Sequence, residues 1–329
     1  MFDEIQLDSS TIVLVVIVNY RTPILTINCL CSLVSEVQSL PGTRVAVVDN
    51  DSGDRSVEQI GTAIETEGWG NWVSLIPSDH NGGYAFGNNL VIRPVLESSN
   101  LPLHFLLLNP DTQVRPGAIK TLVDFMEKHP DVGIAGSSFE EADGTPWPIT
   151  FRFPTVLSEL DSGLRLGVIT RLLSNWVVTR TMTGEEAQVD WLPGASMLIR
   201  REVFKSVGLM DEGYFLYCEE TDFCLQARRA GWSCWYVPQS RVMHIAGQST
   251  GVTDRKLPPQ RLPQYWFDSR RRYFVKNHGL LYAALADAVW ISGFVLWRAR
   301  RVIQRKPDTD PPKLLKDFLR NSVFLKGAR

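Results

Sequence analysis

The chain has 329 residues, 44% of them hydrophobic, and a formal net charge of −2. That is enough to close a sizeable core, in one large domain with a tail or in two smaller domains. Five cysteines, at positions 29, 31, 218, 224 and 234, include no Cys-x-x-Cys pair. This argues against a disulfide framework or a zinc site and fits a reducing cytoplasm. The small net charge hides a split. Residues 251–329 hold 17 basic and 6 acidic residues, and the remainder holds 17 basic and 30 acidic. Such asymmetry fits a catalytic body with a basic attachment surface. No nucleic-acid motif supports the competing reading of the tail, so no nucleic-acid partner is expected.

The first ten residues carry Asp3, Glu4 and Asp8 and no basic residue. The run Ile12 to Val18 is too short and too β-branched for a secretory signal and reads as a strand. Thr22 and Pro23 look like the N-cap and first residue of a helix continuing through Ile24 to Val37. Arg44 to Val48 is the next strand, closed by the turn-forming cluster Asp49-Asn50-Asp51-Ser52-Gly53. A helix over Val57 to Ile64 follows, then a short strand over Trp72 to Ile76 and a helix over Tyr84 to Leu96. Leu103 to Leu108 is a strand, Pro116 to Lys128 a helix, and Val132 to Ser137 a strand. This alternation predicts an α/β fold whose mainly parallel sheet has helices on both faces. Ligands on such sheets lie outside the carboxyl ends of the strands. Asn19, Asp49 and Asp111 fall at three of those ends. Glu140 to Gln188 has weak periodicity and is expected to be an irregular insertion near the acceptor side. Order returns at Val189 to Arg200, and Phe223 to Ala230 reads as helix. The tail from Pro258 is expected to be mostly helical, broken at Pro307 to Pro312.

The densest chemical signal is Glu219-Glu220-Thr221-Asp222, between the aromatic run Tyr214-Phe215-Leu216-Tyr217 and that helix. The apolar run Phe105 to Leu108 delivers Asn109-Pro110-Asp111 to the mouth of the sheet. Two acidic sites on one scaffold can divide labour. One holds a metal on a phosphate, and the other takes a proton from an attacking hydroxyl. Asn81 to Asn89 contains Gly82, Gly83 and Gly87. Small residues permit close backbone approach, and successive N–H groups can cradle anionic oxygens. The loop is neither a P-loop nor a dinucleotide fingerprint, because no Gly-Lys-Ser/Thr follows and it does not succeed the first strand.

Several segments together resemble the inverting family 2 glycosyltransferases of GT-A fold, especially the rhamnosyltransferase-like branch. They are Val18-Asn19-Tyr20-Arg21, Val48 to Ser52, Asn81 to Asn89, Leu108 to Asp111, Gly194-Ala195, Glu219 to Asp222, and His244. They stand in the family's order over roughly residues 12–250, as a body whose nucleotide-binding half is 1–110 and whose acceptor and catalytic half is 111–250. The tail, 251–329, lies outside the match.

The resemblance implies transfer of a hexosyl group, with rhamnose from dTDP-rhamnose as the expected donor, to a surface glycan or its lipid carrier. It implies nucleotide-sugar contacts from Asn19, Tyr20, Asp49, Asn50, Asn81, Gly82, Gly83, Asn89, Asn109, Asp111, Gly194 and Ala195. Glu220 is the implied general base, with Glu219 and Asp222 beside it and the choice between the two glutamates open. Asp111 and His244 are the implied metal ligands. An imidazole ligand favours Mn²⁺ over Mg²⁺, which remains a working substitute. Trp191 is expected to border the acceptor. Two departures matter. Asn109 stands where the family's Asp-x-Asp has its first acid, leaving Asp111 the single carboxylate. Glu219-Glu220 replaces the family's Glu-Asp pair. A nucleotidyltransferase is the alternative enzyme, although Asn19-Tyr20-Arg21 stands where its triphosphate loop would be. A non-catalytic nucleotide-sugar or glycan-binding module is the alternative class.

Gly279 to Trp297 is apolar except for Asp287, Ser292 and small neutral residues, and arginines flank it on both sides. Three readings stay open: a membrane-surface helix, a helix packed on the body or a second subunit, and a true span. The first predicts peripheral attachment through 265–305 at the inner face of the plasma membrane. A homo-oligomer also stays open.

Overall fold

The computed structural model describes residues 5–147, 150–245 and 259–328. Strand and helix alternate as the sequence predicts. They run β1 (Val13–Asn19), α1 (Pro23–Ser39), β2 (Thr43–Asp49), α2 (Ser56–Thr66), β3 (Val73–Pro77), α3 (Gly83–Leu96) and β4 (His104–Leu108). β5 (Thr112–Val114), α4 (Ala118–Lys128) and β6 (Val132–Glu140) follow. The first four strands are parallel, and β1, β2 and β4 are buried almost throughout, as a sheet covered on both faces requires. β1 and β2 are in register to their last residues, so Asn19 lies directly beside Asp49. Pro23 opens α1, but Thr22 makes no side-chain cap. Its hydroxyl donates instead to Asn19 Oδ1, 3.1 Å away.

The stretch 140–188, expected to be irregular, holds β7 (Pro146–Trp147), β8 (Thr150–Phe151), α5 (Val156–Leu164), α6 (Gly167–Leu172), β9 (Thr179–Arg180) and most of β10 (Ala187–Val189). The strands are two or three residues long, too short to show a period. The helix α5 opens on a capping box between Thr155 and Ser158, with Ser in place of the usual Glu or Gln. β11 (Ser196–Arg200), α7 (Arg201–Val207), α8 (Glu219–Arg229) and β12 (Ser233–His244) complete the body. β11 runs antiparallel between β4 and β6, and β12 runs parallel to β6 on its other side. β12 was hidden in the sequence by Pro238, which falls at a register shift between Val237 and Arg241. The main sheet is therefore mixed but mainly parallel, ordered β10-β12-β6-β11-β4-β1-β2-β3.

The tail is α9 (Gln264–His278), α10 (Leu280–Ile303), α11 (Leu314–Asn321) and α12 (Val323–Lys326). It carries a small core of Phe267, Trp290, Phe294, Leu314 and Phe318, with the Trp290 and Phe318 rings stacked at 3.9 Å. α5 crosses α10 at paired glycines: a Cβ on Gly163 would lie 2.7 Å from the Trp290 carbonyl, and one on Gly293 2.9 Å from the Leu164 nitrogen. Arg270 on α9 bridges Glu159 of α5 and the buried Asp287 of α10. Removing that guanidinium leaves the interior Asp287 and the largely covered Glu159 without their cation, so Arg270→Ala is expected to cost about 3–5 kcal/mol. Urea unfolding of the whole chain checks this; a loss below about 1 kcal/mol, the value of an exposed pair, would show the bridge to be incidental.

Candidate active site

Asp111 and His244 meet because of strand register. β5 pairs antiparallel with the end of β12, which sets His244 opposite Thr112, and the Ile245 N–H donates to the Asp111 carbonyl at 3.1 Å. His244 Nε2 is 3.3 Å from Asp111 Oδ1, and both side chains are nearly buried. The imidazole sits between Phe139 and Trp147, with ring centroids 5.1 and 5.4 Å away. Its Nδ1 is buried without a partner. One carboxylate and one imidazole, 133 positions apart by number, are thus brought side by side. Among the described residues no third His, Cys, Asp or Glu joins them. The rest of a cation's shell would therefore come from ligand oxygens and water, which fits a metal held on a diphosphate.

Glu219 and Glu220 open α8. The two residues before them, Tyr217 and Cys218, have φ of +71° and +68°. Side-chain-bearing residues adopt that left-handed region at a cost of about 1–2 kcal/mol each, so the turn into α8 is held by its surroundings. Glu219 is interior, at 2% exposure. Glu220 is partly exposed, yet its Oε2 is buried and unpartnered, as is that of Glu219. Burial raises both carboxyls above the usual range, and the charge of Glu220 pushes Glu219 further. Backbone N–H groups, that of Gly194 among those facing Glu220, oppose the rise. A carboxyl of raised pKa that reaches solvent on one side is suited to proton transfer.

A chain of contacts connects the two acidic sites. The Gly194 N–H faces Glu220, and the next carbonyl, that of Ala195, accepts from the Asn109 N–H at 3.2 Å. Asn109 then leads through Pro110 to Asp111. Tyr84 closes the other side: its hydroxyl donates to the Gly194 carbonyl at 2.8 Å and its N–H to the Phe215 carbonyl at 3.0 Å. Burial and both glutamates hold the Tyr84 phenol protonated, with a pKa well above its ordinary value. A Cβ on Gly194 would sit 2.4 Å from the Tyr84 hydroxyl oxygen.

The glycine-rich loop is shaped by protein contacts. Gly83 has φ +89°, and a Cβ there would lie 1.9 Å from the Phe215 carbonyl oxygen. A Cβ on Gly87 would lie 2.7 Å from Val18. Gly82 stands before them, at the start of α3. At the nucleotide end, Asn19 Nδ2 donates to Asp49 Oδ1 at 2.6 Å, and Asp49 also accepts from the Ser52 hydroxyl at 2.6 Å and the Ser52 N–H at 3.1 Å. Asn19 and Asp49 are thus buried and internally bonded. Asn50 donates to Asn81 Oδ1 at 3.0 Å and to the Gly83 carbonyl at 3.1 Å, while its own Oδ1 is buried without a partner. Tyr20 is half-buried under the Arg21 guanidinium.

Three expected residues take other partners. Asn89 is buried, and its amide binds the Met210 carbonyl, the Met210 N–H and Glu212. Asp222 is held by Lys276 at 2.6 Å and Asn277 at 2.7 Å, both from α9 of the tail. Trp191 stacks on Phe151 with centroids 4.5 Å apart. Sequence reasoning missed Tyr84 and Lys276. Tyr84 lies inside the glycine-rich stretch Asn81 to Asn89, where the glycines draw attention from it, and nothing in the sequence links Lys276 to position 222.

A mixed, mainly parallel sheet with acids at its carboxyl edge is the GT-A glycosyltransferase architecture, and solved structures agree. GalNAc-T7, solved with UDP, GalNAc and Mn²⁺, superposes with a TM-score of 0.56 at 15% identity, over 90% of this chain and 58% of that one. The mannosyltransferase PcManGT from Pyrobaculum calidifontis, solved with GDP-Man and Mn²⁺, gives 0.51 at 13% identity, over 98% and 73%. The chain belongs to the glycosyltransferase like family 2, which it matches over residues 10–257. It is 31% identical over 193 residues to the N-acetylglucosaminyl-diphospho-decaprenol L-rhamnosyltransferase of Mycobacterium tuberculosis, a match covering 54% of this chain and 61% of that protein. It is 25% identical over 278 residues to the dTDP-rhamnosyl transferase RfbF of Shigella flexneri, covering 84% of each.

The Lys276 contact generates an expectation. Asp222 lies in the first turn of α8 with Glu219 and Glu220, so losing its cation tilts that turn. Lys276→Met is expected to lower kcat about 10–100-fold, the penalty for slight misplacement of a reacting group, while donor KM stays near normal and Lys276→Arg restores most of the rate. Equal loss in kcat and donor affinity would assign Lys276 to general stability instead.

Proposed function

We propose that this chain is an inverting glycosyltransferase that moves a sugar, rhamnose from dTDP-rhamnose, to a hydroxyl of a glycan or its lipid-linked precursor in surface polysaccharide synthesis. Family membership and the activities for which the mycobacterial and Shigella relatives are named support the reaction class and the sugar. The observation that carries the reading is the unpartnered, buried Oε2 of Glu220. It belongs to a carboxyl of raised pKa that is joined through Gly194, Ala195 and Asn109 to the strand end bearing Asp111.

Glu220, rather than the fully interior Glu219, is the group an acceptor can reach. The acceptor oxygen bonds to the anomeric carbon while the bond from that carbon to the donor phosphate oxygen breaks. The electron pair leaves with the nucleoside diphosphate, and the acceptor's proton passes to Glu220. Glu219 keeps a second carboxyl nearby and raises the proton affinity of the pair. Asp111 and His244 would hold a divalent cation, Mn²⁺ by preference, and when bound it neutralises charge developing on the departing diphosphate. Asn50 and Asn81 set the base end of the cleft, and Tyr84 fixes Gly194 against it. A cytoplasmic protein attached at the inner face of the membrane suits a lipid-linked acceptor.

Glu220→Gln is expected to lower turnover at least about 100-fold, as loss of a general base does, with donor binding by thermal shift unchanged. Near-normal turnover would refute the assignment. Because a raised carboxyl pKa means that the base form appears only at higher pH, the acid limb of the kcat profile is expected above 4.5, the ordinary glutamate value. That limb should flatten in Glu220→Gln. A limb at or below the ordinary value would show the base to be elsewhere.

A further inference from the structure

α10 is charged on the inside and apolar on the outside. Its acid, Asp287, is 2% exposed, paired to Arg270 through one oxygen and accepting the Val323 N–H at 2.8 Å through the other. Its three arginines are only partly exposed: Arg298 pairs with Asp308 and Asp310, Arg300 with the carbonyls of Leu164 and Arg165, and Arg301 with Asp308. Every exposed residue of α10 is uncharged. Leu281, Leu285, Val295, Leu296, Val302 and Ile303 are 47–88% exposed. Their spacing places them on one side of the helix, a stripe about 33 Å long at 1.5 Å per residue. α12 adds Phe324 and Leu325, which are more than half exposed. A soluble protein rarely leaves so long an apolar face uncovered unless something docks there.

The surrounding charge identifies the partner. Each described acid of the tail has a cationic partner: Asp268 with Arg271, Asp287 with Arg270, Asp308 and Asp310 with Arg298, and Asp317 with Arg261. Arg305, Lys306, Lys313, Lys316, Arg320 and Lys326, by contrast, form no salt bridge among the described residues, although Lys313 and Arg320 lie near enough to Asp317 to help lower its pKa. An apolar stripe on a tail that also carries cations outside any salt bridge matches a surface that is both apolar and anionic. A second copy packed tail to tail would bring the same cations and, among the described residues, no unpaired tail acid to receive them. A span is disfavoured as well, since α10 is packed against α5 and α9 of the soluble body and its one acid is engaged there.

We infer that α10 lies flat on an anionic lipid bilayer, its outer stripe in the acyl boundary and the cations of α11, α12 and the α10–α11 connection over the headgroups. This extends the attachment proposed above from a segment to a defined face. It stands or falls separately from sugar transfer, which is measured on a soluble acceptor.

The test is flotation of the full chain with vesicles of phosphatidylcholine containing phosphatidylglycerol, beside vesicles of phosphatidylcholine alone. The expected result is binding to the anionic vesicles, with release at about 1 M salt, where the screening length falls to about 3 Å. Leu281→Glu/Leu285→Glu/Val295→Glu, all on the outer stripe, is expected to lower the bound fraction at least about tenfold and leave donor hydrolysis unchanged. Lys313→Glu/Lys316→Glu/Arg320→Glu is expected to do the same through charge. Binding that persists in both variants would overturn the inference. So would extraction that requires detergent, or light scattering that shows a dimer dissolved by the stripe variant with no flotation of either protein.

Discussion

Two adjacent carboxylates, the interior Glu219 and the partly exposed Glu220, each hold one oxygen buried without an ion pair, and the rest of the site is built around that constraint. No salt bridge reaches either among the described residues. What holds them is backbone: a left-handed turn at Tyr217 and Cys218, the start of α8, and the Gly194 N–H. That turn is in turn gripped by the Gly83–Tyr84 segment, which can lie against Phe215 only because position 83 has no side chain. A loop whose glycines looked like a phosphate cradle is therefore also the clamp on the turn that leads into Glu219 and Glu220.

Much of this was legible in the sequence. The alternation of β-branched runs with helical spacing marked β1 to β4 and β6 within a few residues, because buried parallel strands are short uninterrupted apolar runs. The position of Asp111 after such a run placed it at the sheet mouth. What stayed hidden depended on distant partners. Nothing local says that the Asp49 carboxylate is filled by Asn19 and Ser52, or that Asn89 braces Met210. The neighbourhood of Asp222 belongs to α9, more than fifty residues later by number. β12 was obscured by its proline, and the elements of 140–188 are too short for periodicity.

The tail shows how an apolar count misleads until burial is known. α10 is long and apolar enough to cross a membrane, yet only a third of its most apolar window is buried in the protein. Asp287, the one acid interrupting the apolar run in the sequence, faces Arg270 and the body. Its inward position frees the opposite side to be wholly uncharged. The same tail supplies Lys276 and Asn277 to Asp222 of α8, so one end of α9 braces the helix that carries Glu219 and Glu220 while the helix after it presents the apolar face.

The central claim is that one carboxylate acts from the side of the sugar opposite the departing diphosphate. The anomeric configuration of the transferred sugar, read by NMR on the product from a nucleotide-sugar donor of known configuration, tests that claim most directly. The account predicts a single inversion at the anomeric carbon. A product with the donor's configuration retained would contradict it.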